Sequence, residues 1–420
     1  MLKKRLLIVE SIAYALLFLL TIRRVIGNGL LSLETQAFEK TIYEMALWVL
    51  LTVIFLWIAH DLSIIRKMLA AWGKNWYILI FILFALCSVI WSTNTIASIY
   101  KGISLVGCSV IAAFTGMAFS NKNLFRGFWW FFIFVTIATF AMALFFPGVG
   151  THIGYPYYGA WRGIFWSKNY MGPFMAFGNL VFLFSIYLSW KKIPALFGNI
   201  LFYLLTALLA ILSKCASALI LMVILNLGFL LVLTWVRWKM LLNKSHYIIG
   251  AIVSVLLITI FFLNLNFFLG LVGRDPTLTG RYPLWSYLIH YGWTNHPILG
   301  SGFGATWESN NFRDTTGIAV QWNLTPLVSD NGYIDIFLDL GLVGLVLAIS
   351  LILFCLFRVV RYALKEQTVI SFFPVLLMVF VIIVNLDLSF LLNLEFFAWF
   401  LMIFALFSTT PLSLGHPAEP

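Results

Sequence analysis

The sequence predicts an all-α polytopic membrane protein with about 12 transmembrane helices, because apolar stretches of about 20 residues recur and each can cross a bilayer as a helix. Of the 420 residues, 62% are hydrophobic and only 10% are charged, and the mean hydropathy is +1.01. So few charged residues cannot cover the surface of a water-soluble protein of this size. Soluble multidomain, disordered and collagen-like proteins are therefore excluded.

The apolar stretches follow one another without an internal repeat or a polar linker, so we predict one polytopic domain over residues 1–420. Arg23 and Arg24 follow the first stretch, and no small-residue cleavage site precedes them. We therefore predict a helix there rather than a signal peptide. The candidate spans are residues 6–22, 42–59, 76–92, 99–119, 127–147, 171–189, 195–212, 216–236, 247–268, 333–357, 371–392 and 395–411.

The distribution of basic residues predicts the orientation. Most of the 26 Lys and Arg residues lie on the side of the N-terminus, so we predict cytoplasmic N- and C-termini. The net charge of +11 is thus divided between two membrane faces, and no nucleic-acid partner is predicted. The four cysteines lie in apolar stretches without paired spacing, which predicts neither a disulfide framework nor a Cys-based metal site.

Two long loops fall on the opposite, outer face, at residues 148–170 and 269–332, the second between the ninth and tenth helices. Loops of this length in a compact protein are usually functional or disordered, and their aromatic and glycine content favours order. Glycines 300, 302 and 304 in the second loop are predicted to permit turns. A helix beginning near Pro283 is predicted to lie in the membrane interface with Trp285, Leu288 and Ile289 on one face.

Several cations lie on the face where the positive-inside rule depletes them. Two interpretations are open: each cation pairs with a carboxylate or reaches lipid headgroups, or the set binds an anion. Arginine grips phosphate oxygens in pairs and lysine supplies a point charge, so a mixed set suits a diphosphate carried by a polyprenyl lipid. The set is Lys101, Arg162, Lys168, Lys214, Arg274, Arg281 and Arg313.

Other side chains of the outer segments allow two interpretations each. Asp335 and Asp339, four residues apart on one helix face, either support the site or pair with the lysines. His296 either takes part in the site or is structural. Three tryptophans either stack on acceptor sugars or anchor the chain at the interface; they are Trp285, Trp307 and Trp322.

Six motifs follow one another in the outer segments, namely SVIWSTNTIASIYKGISL (88–105), RGIFWSKNYMG (162–172), LSKCASALI (212–220), DPTLTGRYPLW (275–285), HPILGSGFGATW (296–307) and DNGYIDIFLDLGLVGL (330–345). In this order they resemble the O-antigen ligase and polysaccharide polymerase superfamily, particularly its ExoQ-like branch. The resemblance covers about residues 85–350, which makes it more specific than any single motif. It implies a bacterial inner-membrane protein that transfers glycan from an undecaprenyl diphosphate donor to an acceptor hydroxyl on the periplasmic side.

The resemblance implies that Arg281 contacts the donor diphosphate, and Lys101, Lys168 and Lys214 occupy the corresponding basic segments. To these we add Arg162. Such cations can stabilise a departing diphosphate without metal, and no outer His, Cys and Asp cluster has ligand spacing. We therefore predict a metal-independent inverting glycosyltransferase that needs no cofactor.

The sequence departs from the family at two positions. Relatives usually carry a histidine, taken as the acceptor-activating base, where this chain has Asp330, and many carry another histidine where it has Ser167. We predict Asp330 as the catalytic base; the other interpretation is a cap for the helix starting near Tyr333.

Several functions remain open at the level of sequence. The first is a polymerase of exopolysaccharide or O-antigen repeat units, and the second is a ligase that transfers glycan to a lipid A core. A transporter or flippase for a lipid-linked anion is the alternative of another class, and it predicts midplane cations and pseudo-symmetric halves. The last open function is that of a non-catalytic member of this family, since the usual histidine is replaced by Asp330.

Overall fold

The chain is all-helical, as predicted. The computed structural model describes residues 62–118, 121–154, 157–238, 281–320, 328–392 and 398–410. In these ranges the regular structure is helical, apart from one isolated antiparallel bridge between Thr151 and Trp161. The predicted spans 6–22, 42–59 and 247–268 lie outside the described residues, so the count of twelve stays a prediction.

The helices are numbered in chain order over the described residues, leaving out short helical turns. The first group is α1 (Leu62–Lys74), α2 (Trp76–Cys87), α3 (Thr95–Ala118), α4 (Asn121–Phe145), α5 (Lys168–Ser189) and α6 (Ile193–Leu212). The second group is α7 (Ala216–Trp238), α8 (Arg281–Asn295), α9 (Asn310–Ala319), α10 (Gly332–Glu366), α11 (Phe373–Asp387) and α12 (Ala398–Ser408).

Seven helices of the described ranges are long and apolar enough to cross a membrane, namely α3 to α7, α10 and the segment 370–387 that contains α11. An eighth is counted if α1 and α2, bent by 87° at a break, form one span. The protein is therefore a multi-pass membrane protein. The predicted span 395–411 is described over residues 398–410, which contain the apolar 11-residue helix α12; its other residues lie outside the described part of the chain.

Buried aromatic side chains and a few polar ones hold the bundle together. In α12, Trp399 is buried and donates from its indole N–H to the Ser109 hydroxyl of α3, 2.9 Å away. A second polar contact joins α5, α6 and α7: Asn226 donates to the Asn179 side-chain oxygen (2.9 Å), and Tyr203 donates to that of Asn226 (2.9 Å). Such hydrogen bonds join helices where lipid offers no partner.

Helix α10 is broken near its start, at Gly341, where φ is 65° and ψ is −166°. The break leaves backbone groups without helical partners, and the glycine-rich segment 296–304 supplies them. Gly300, Gly302 and Gly304 all have positive φ, so the predicted turns are confirmed. The bonds join Ser301 N–H to Leu338 C=O (3.0 Å), Gly302 N–H to Asp339 C=O (2.8 Å), Leu342 N–H to Pro297 C=O (2.9 Å) and Val343 N–H to Ile298 C=O (3.2 Å).

Candidate functional site

The described parts of both long loops meet at one end of the bundle, where α3, α5, α7 and α10 begin and α6 and α11 end. The first loop is tied to the end of α6, because Trp161 N–H donates to the Leu212 carbonyl at 3.0 Å. The second is tied to the start of α3, because Thr93 N–H donates to the Ser301 carbonyl at 2.8 Å. The predicted site segments therefore share one end of the protein.

Two lysines from neighbouring helix ends lie together there. Lys168, the first residue of α5, is only 6% exposed. Its ammonium donates to the Lys214 carbonyl (3.1 Å) and lies 4.5 Å from the centroid of the Tyr157 ring. Lys214, between α6 and α7, donates its own ammonium to the Tyr158 carbonyl (3.3 Å). We call Lys168 and Lys214 the lysine pair.

The first loop folds back around His152, a residue that the sequence analysis does not assign to the site. Its backbone N–H donates to the Ala160 carbonyl and its carbonyl accepts from Gly159 N–H, both at 2.8 Å. Its imidazole Nε2 accepts the backbone N–H of Lys168 at 3.1 Å. Burial, followed by the charges of Arg162 and Lys168, lowers the pKa of His152 to about 4. The imidazole is therefore neutral at neutral pH.

Arg162 closes the base of this loop. Its Nε donates to the Val149 carbonyl (2.7 Å) and its Nη1 to the Trp166 carbonyl (3.3 Å). Burial lowers the pKa of the Arg162 guanidinium. Part of its hydrogen-bonding capacity thus holds the loop together. The neighbouring Ser167 caps α5 by accepting the Asn169 N–H at 3.3 Å, which gives a structural role to this departure from the family pattern.

Arg281 opens α8 and lies between two carboxylates. Its Nη2 is 3.3 Å from a carboxylate oxygen of Asp330, and its Nη1 forms a hydrogen bond with Asp387 at the end of α11. Burial lowers the pKa of Arg281, but the charges of Asp387 and Asp330 outweigh it and the pKa is raised. We call Arg281, Asp330 and Asp387 the arginine triad. The sequence did not assign Asp387 to the site.

Asp330 combines a strained backbone with a perturbed carboxyl group. It has a φ of 53°, which is uncommon in non-glycine residues but favoured by Asp and Asn among them. Burial raises the pKa of Asp330 to about 6; Arg281 opposes the rise and Asp387 adds to it. The N-cap of α10 is Asn331, whose side-chain oxygen accepts from Tyr333 and Ile334 N–H. The predicted helix start is correct, but Asp330 is not its cap.

The lysine pair and the arginine triad lie at adjoining helix ends. Tyr170, two residues after Lys168, packs against Phe390, three residues after Asp387, with 5.6 Å between the ring centroids. Burial raises the pKa of the Cys215 thiol, Asp387 raises it further and Lys168 lowers it. The same thiol contributes to the electrostatic environment of Arg281. The buried Cys215 thiol, between α6 and α7, is therefore influenced by Lys168 of the lysine pair and by Asp387 of the arginine triad.

Lys101 belongs to a third group of charges. Its ammonium donates to the Gly304 carbonyl (3.2 Å), lies 3.6 Å from a carboxylate oxygen of Glu308 and attracts Asp339. The Asp339 carboxylate accepts from Gly304 N–H (2.8 Å) and from the Thr306 hydroxyl (2.6 Å). Lys101 and Arg281 thus follow the interpretation in which each cation pairs with carboxylates, whereas the lysine pair contacts backbone carbonyls.

Asp335 and Trp307 form a buried contact behind the triad. The Trp307 indole N–H donates to the Asp335 carboxylate at 2.9 Å, and Ser329 N–H donates to the same oxygen at 3.2 Å. The Trp307 ring packs against Phe312, 5.2 Å between centroids, and is 9% exposed. Trp307 is therefore a packing residue here rather than an open surface for a sugar.

The other predicted site residues differ in position. Trp285 is half-buried and donates from its indole N–H to the Ser329 carbonyl at 2.8 Å, beside the triad. Its helix begins at Arg281, which places Trp285, Leu288 and Ile289 on one helix face as predicted. Leu288 is buried and Ile289 is 41% exposed, and the placement of this helix in the membrane interface stays a prediction. The His296 side chain is exposed, on the glycine-rich segment. Trp322 and Arg274 lie outside the described residues.

Fold and site together define a polytopic, all-helical membrane protein with basic and acidic side chains gathered at the helix ends of one side. Residues 200–349 match the O-antigen ligase family model. The chain is also 24% identical over 323 residues to the exopolysaccharide production protein ExoQ of Rhizobium meliloti (strain 1021), covering 74% of this chain and 71% of ExoQ. These similarities support an O-antigen ligase or ExoQ-like family and confirm the resemblance of the motifs. They support a membrane function of the O-antigen ligase or polymerase type with lipid-linked glycan substrates.

Proposed function

We propose that the protein is an inverting glycosyltransferase of the bacterial inner membrane that polymerises exopolysaccharide or O-antigen repeat units on the periplasmic face. The donor is a glycan linked to undecaprenyl diphosphate, and the acceptor is a sugar hydroxyl of a second glycan. One observation carries the proposal: Asp330, with its pKa raised to about 6, contacts Arg281 at the same end of the bundle as the lysine pair. A carboxylate able to take a proton thus lies next to cations able to hold a diphosphate.

The proposed reaction joins two substrates in one step. The acceptor oxygen attacks the anomeric carbon of the donor sugar from the side opposite the diphosphate, and the bond between that carbon and the diphosphate oxygen breaks. The acceptor proton passes to Asp330, and undecaprenyl diphosphate leaves with the bonding electrons. Proton removal by a positioned carboxylate contributes to catalysis when its pKa lies near the working pH.

The cations stabilise the charge that grows on the departing diphosphate. In this proposal Lys168 and Lys214 hold the diphosphate from the ends of α5 and α6, and Arg281 reaches it by exchanging one of its two carboxylate partners. Preorganised positive charge in a site with little water is worth more than the same charge in solution. Lys101 and Arg162 add positive charge for the diphosphate, while Lys101 also pairs with Glu308 and Arg162 also holds the loop. We expect the reaction to proceed without a metal.

The proposal is tested with purified protein and a repeat unit linked to undecaprenyl diphosphate, with product length read on a gel. A ladder of products, unchanged by EDTA, is the expected result. A single addition to lipid A core with no ladder would instead assign a ligase, and loss of the ladder in EDTA would refute metal independence. No transfer to either acceptor by folded protein would refute the glycosyltransferase.

A further inference from the structure

Two contacts of His152, one direct and one through Tyr157, lead to Lys168 in the proposed diphosphate site. Its Nε2 accepts the Lys168 backbone N–H at 3.1 Å. Its ring lies against the Tyr157 ring, 5.6 Å between centroids, and Tyr157 in turn faces the Lys168 ammonium at 4.5 Å. His152 therefore acts on both ends of Lys168, on the backbone directly and on the ammonium through Tyr157.

The loop that carries His152 is itself fixed at both ends. Thr151 and Trp161 form an antiparallel bridge, and Arg162 bonds the carbonyl of Val149 below it. The Tyr158 carbonyl of the same loop holds the Lys214 ammonium. One closed loop thus contacts both members of the lysine pair.

We propose that His152 is a positioning residue, which as a neutral imidazole orients Lys168 so that the lysine pair presents its charges to the diphosphate of the donor. This inference rests on the proposed function. Burying an ammonium group costs free energy unless polar groups interact with it. A cation that is already held in position also loses less conformational entropy on binding its ligand than a mobile one. Neutrality matters, since a protonated imidazole could not accept the Lys168 N–H and would repel Lys168 and Arg162.

Six variants test the role: Lys168→Ala, its combination with His152→Phe, and four further single variants. His152→Gln keeps a hydrogen-bond acceptor, because the Gln side-chain oxygen extends about as far from the backbone as Nε2 does. His152→Phe keeps an aromatic ring but removes the acceptor. His290→Phe is the matched control, because His290 is exposed on α8 and outside the proposed site. Tyr157→Leu removes the ring in contact with the Lys168 ammonium. Melting temperatures in detergent identify variants that fail to fold.

We expect His152→Phe to raise KM for the lipid-diphosphate donor about tenfold, the effect of losing one positioning contact, with little change in kcat. His152→Gln and His290→Phe should resemble the unmodified protein, and Tyr157→Leu should raise KM in the same direction. His152→Phe should add nothing to Lys168→Ala, because both changes act on one group. An unchanged KM in folded His152→Phe, or losses that add in the double variant, would overturn the inference. If His152→Phe does not fold, an unchanged KM in Tyr157→Leu overturns it.

Direct binding of undecaprenyl diphosphate in detergent micelles separates this inference from the proposed function. If Lys168→Ala weakens binding and folded His152→Phe does not, the positioning role is wrong and the donor site stands. If the unmodified protein does not bind this probe, the donor assignment and the positioning role fail together. Weakened binding in Lys168→Ala and His152→Phe, restored in His152→Gln, supports both.

Discussion

Arg281 lies 3.3 Å from Asp330 while it also bonds Asp387 on the opposite helix end. One positive charge thus faces two negative ones. In the proposed mechanism the donor diphosphate takes the place of one of these carboxylates on the guanidinium. The triad can therefore couple donor binding to the release of the carboxylate that serves as base.

Replacing Arg281 by Ala is expected to abolish polymer formation, with a loss of about 100-fold or more in kcat, as for other groups that stabilise transition-state charge. Arg281→Lys should retain part of the activity, since it keeps a charge but loses the paired N–H groups. Polymer length in membranes, at matched protein level, is the measurement. Arg361→Ala, an exposed arginine at the far end of α10, is the control. Normal polymer from inserted Arg281→Ala would remove Arg281 from the donor site.

Asp330 is expected to set the acid limb of the pH profile. Its pKa of about 6 means that the carboxyl is ionised above that pH and protonated below it. Because a base must be deprotonated to accept a proton, kcat/KM for the acceptor should fall as the pH drops through about 6. The measurement is the initial rate of glycan transfer at limiting acceptor between pH values on both sides of this midpoint.

Substitutions at Asp330 separate base chemistry from backbone conformation. Asn tolerates the positive φ of this position as well as Asp does, so Asp330→Asn should fold but lose activity. Asp330→His should recover activity, because imidazole is again a base and is the residue that the family pattern has there. Equal activity of all three proteins would show that the residue is not the base.

Asp387→Asn is expected to move the same acid limb to lower pH. Asp387 raises the pKa of Asp330 by repulsion, so its neutralisation favours the ionised form of Asp330 and lowers that pKa. The direction of the shift is the test, read from kcat/KM profiles of the variant and the unmodified protein. A limb that stays in place would mean that Asp387 does not act on the catalytic carboxyl.

The sequence predicted the helical class and the segments of the site because both depend on local pattern. Apolar length fixed the helices, and the positive-inside rule pointed to Lys168, Lys214 and Arg281 as unusual cations. These three meet at one end of the bundle. The assignment of Asp330 to the same end also agrees with the structure, although its role stays a prediction.

The partners of those residues depend on contacts between distant segments, which a single sequence does not reveal. Asp387 is 106 positions from Arg281 in the sequence. It is a carboxylate at the end of an apolar helix, and nothing in the sequence of α11 indicates that it pairs with Arg281. His152 lies in an unremarkable stretch of the first loop, and only the folded loop brings it to Lys168. The sequence analysis offers Trp307 as a sugar contact because tryptophan is an aromatic residue that can stack on sugars. The structure instead buries Trp307 against Phe312.

The break in α10 leads to a prediction about stability. Gly341 has φ and ψ of 65° and −166°, a region that is essentially restricted to glycine, and an added Cβ would lie 2.2 Å from the Ile298 carbonyl oxygen. Gly341→Ala should therefore destabilise the protein by about 1–3 kcal/mol and loosen the segment 296–304. The loss should appear as a lower melting temperature in detergent.

Gly198→Ala is the matched control, because Gly198 lies in α6 and an added Cβ there meets nothing within 4 Å. Helix propensity favours alanine at such a position by up to about 1 kcal/mol, so its melting temperature should stay level or rise. If Gly341→Ala melted like Gly198→Ala, α10 would be continuous in the protein. The four backbone hydrogen bonds to the glycine-rich segment would then not hold the second loop in place.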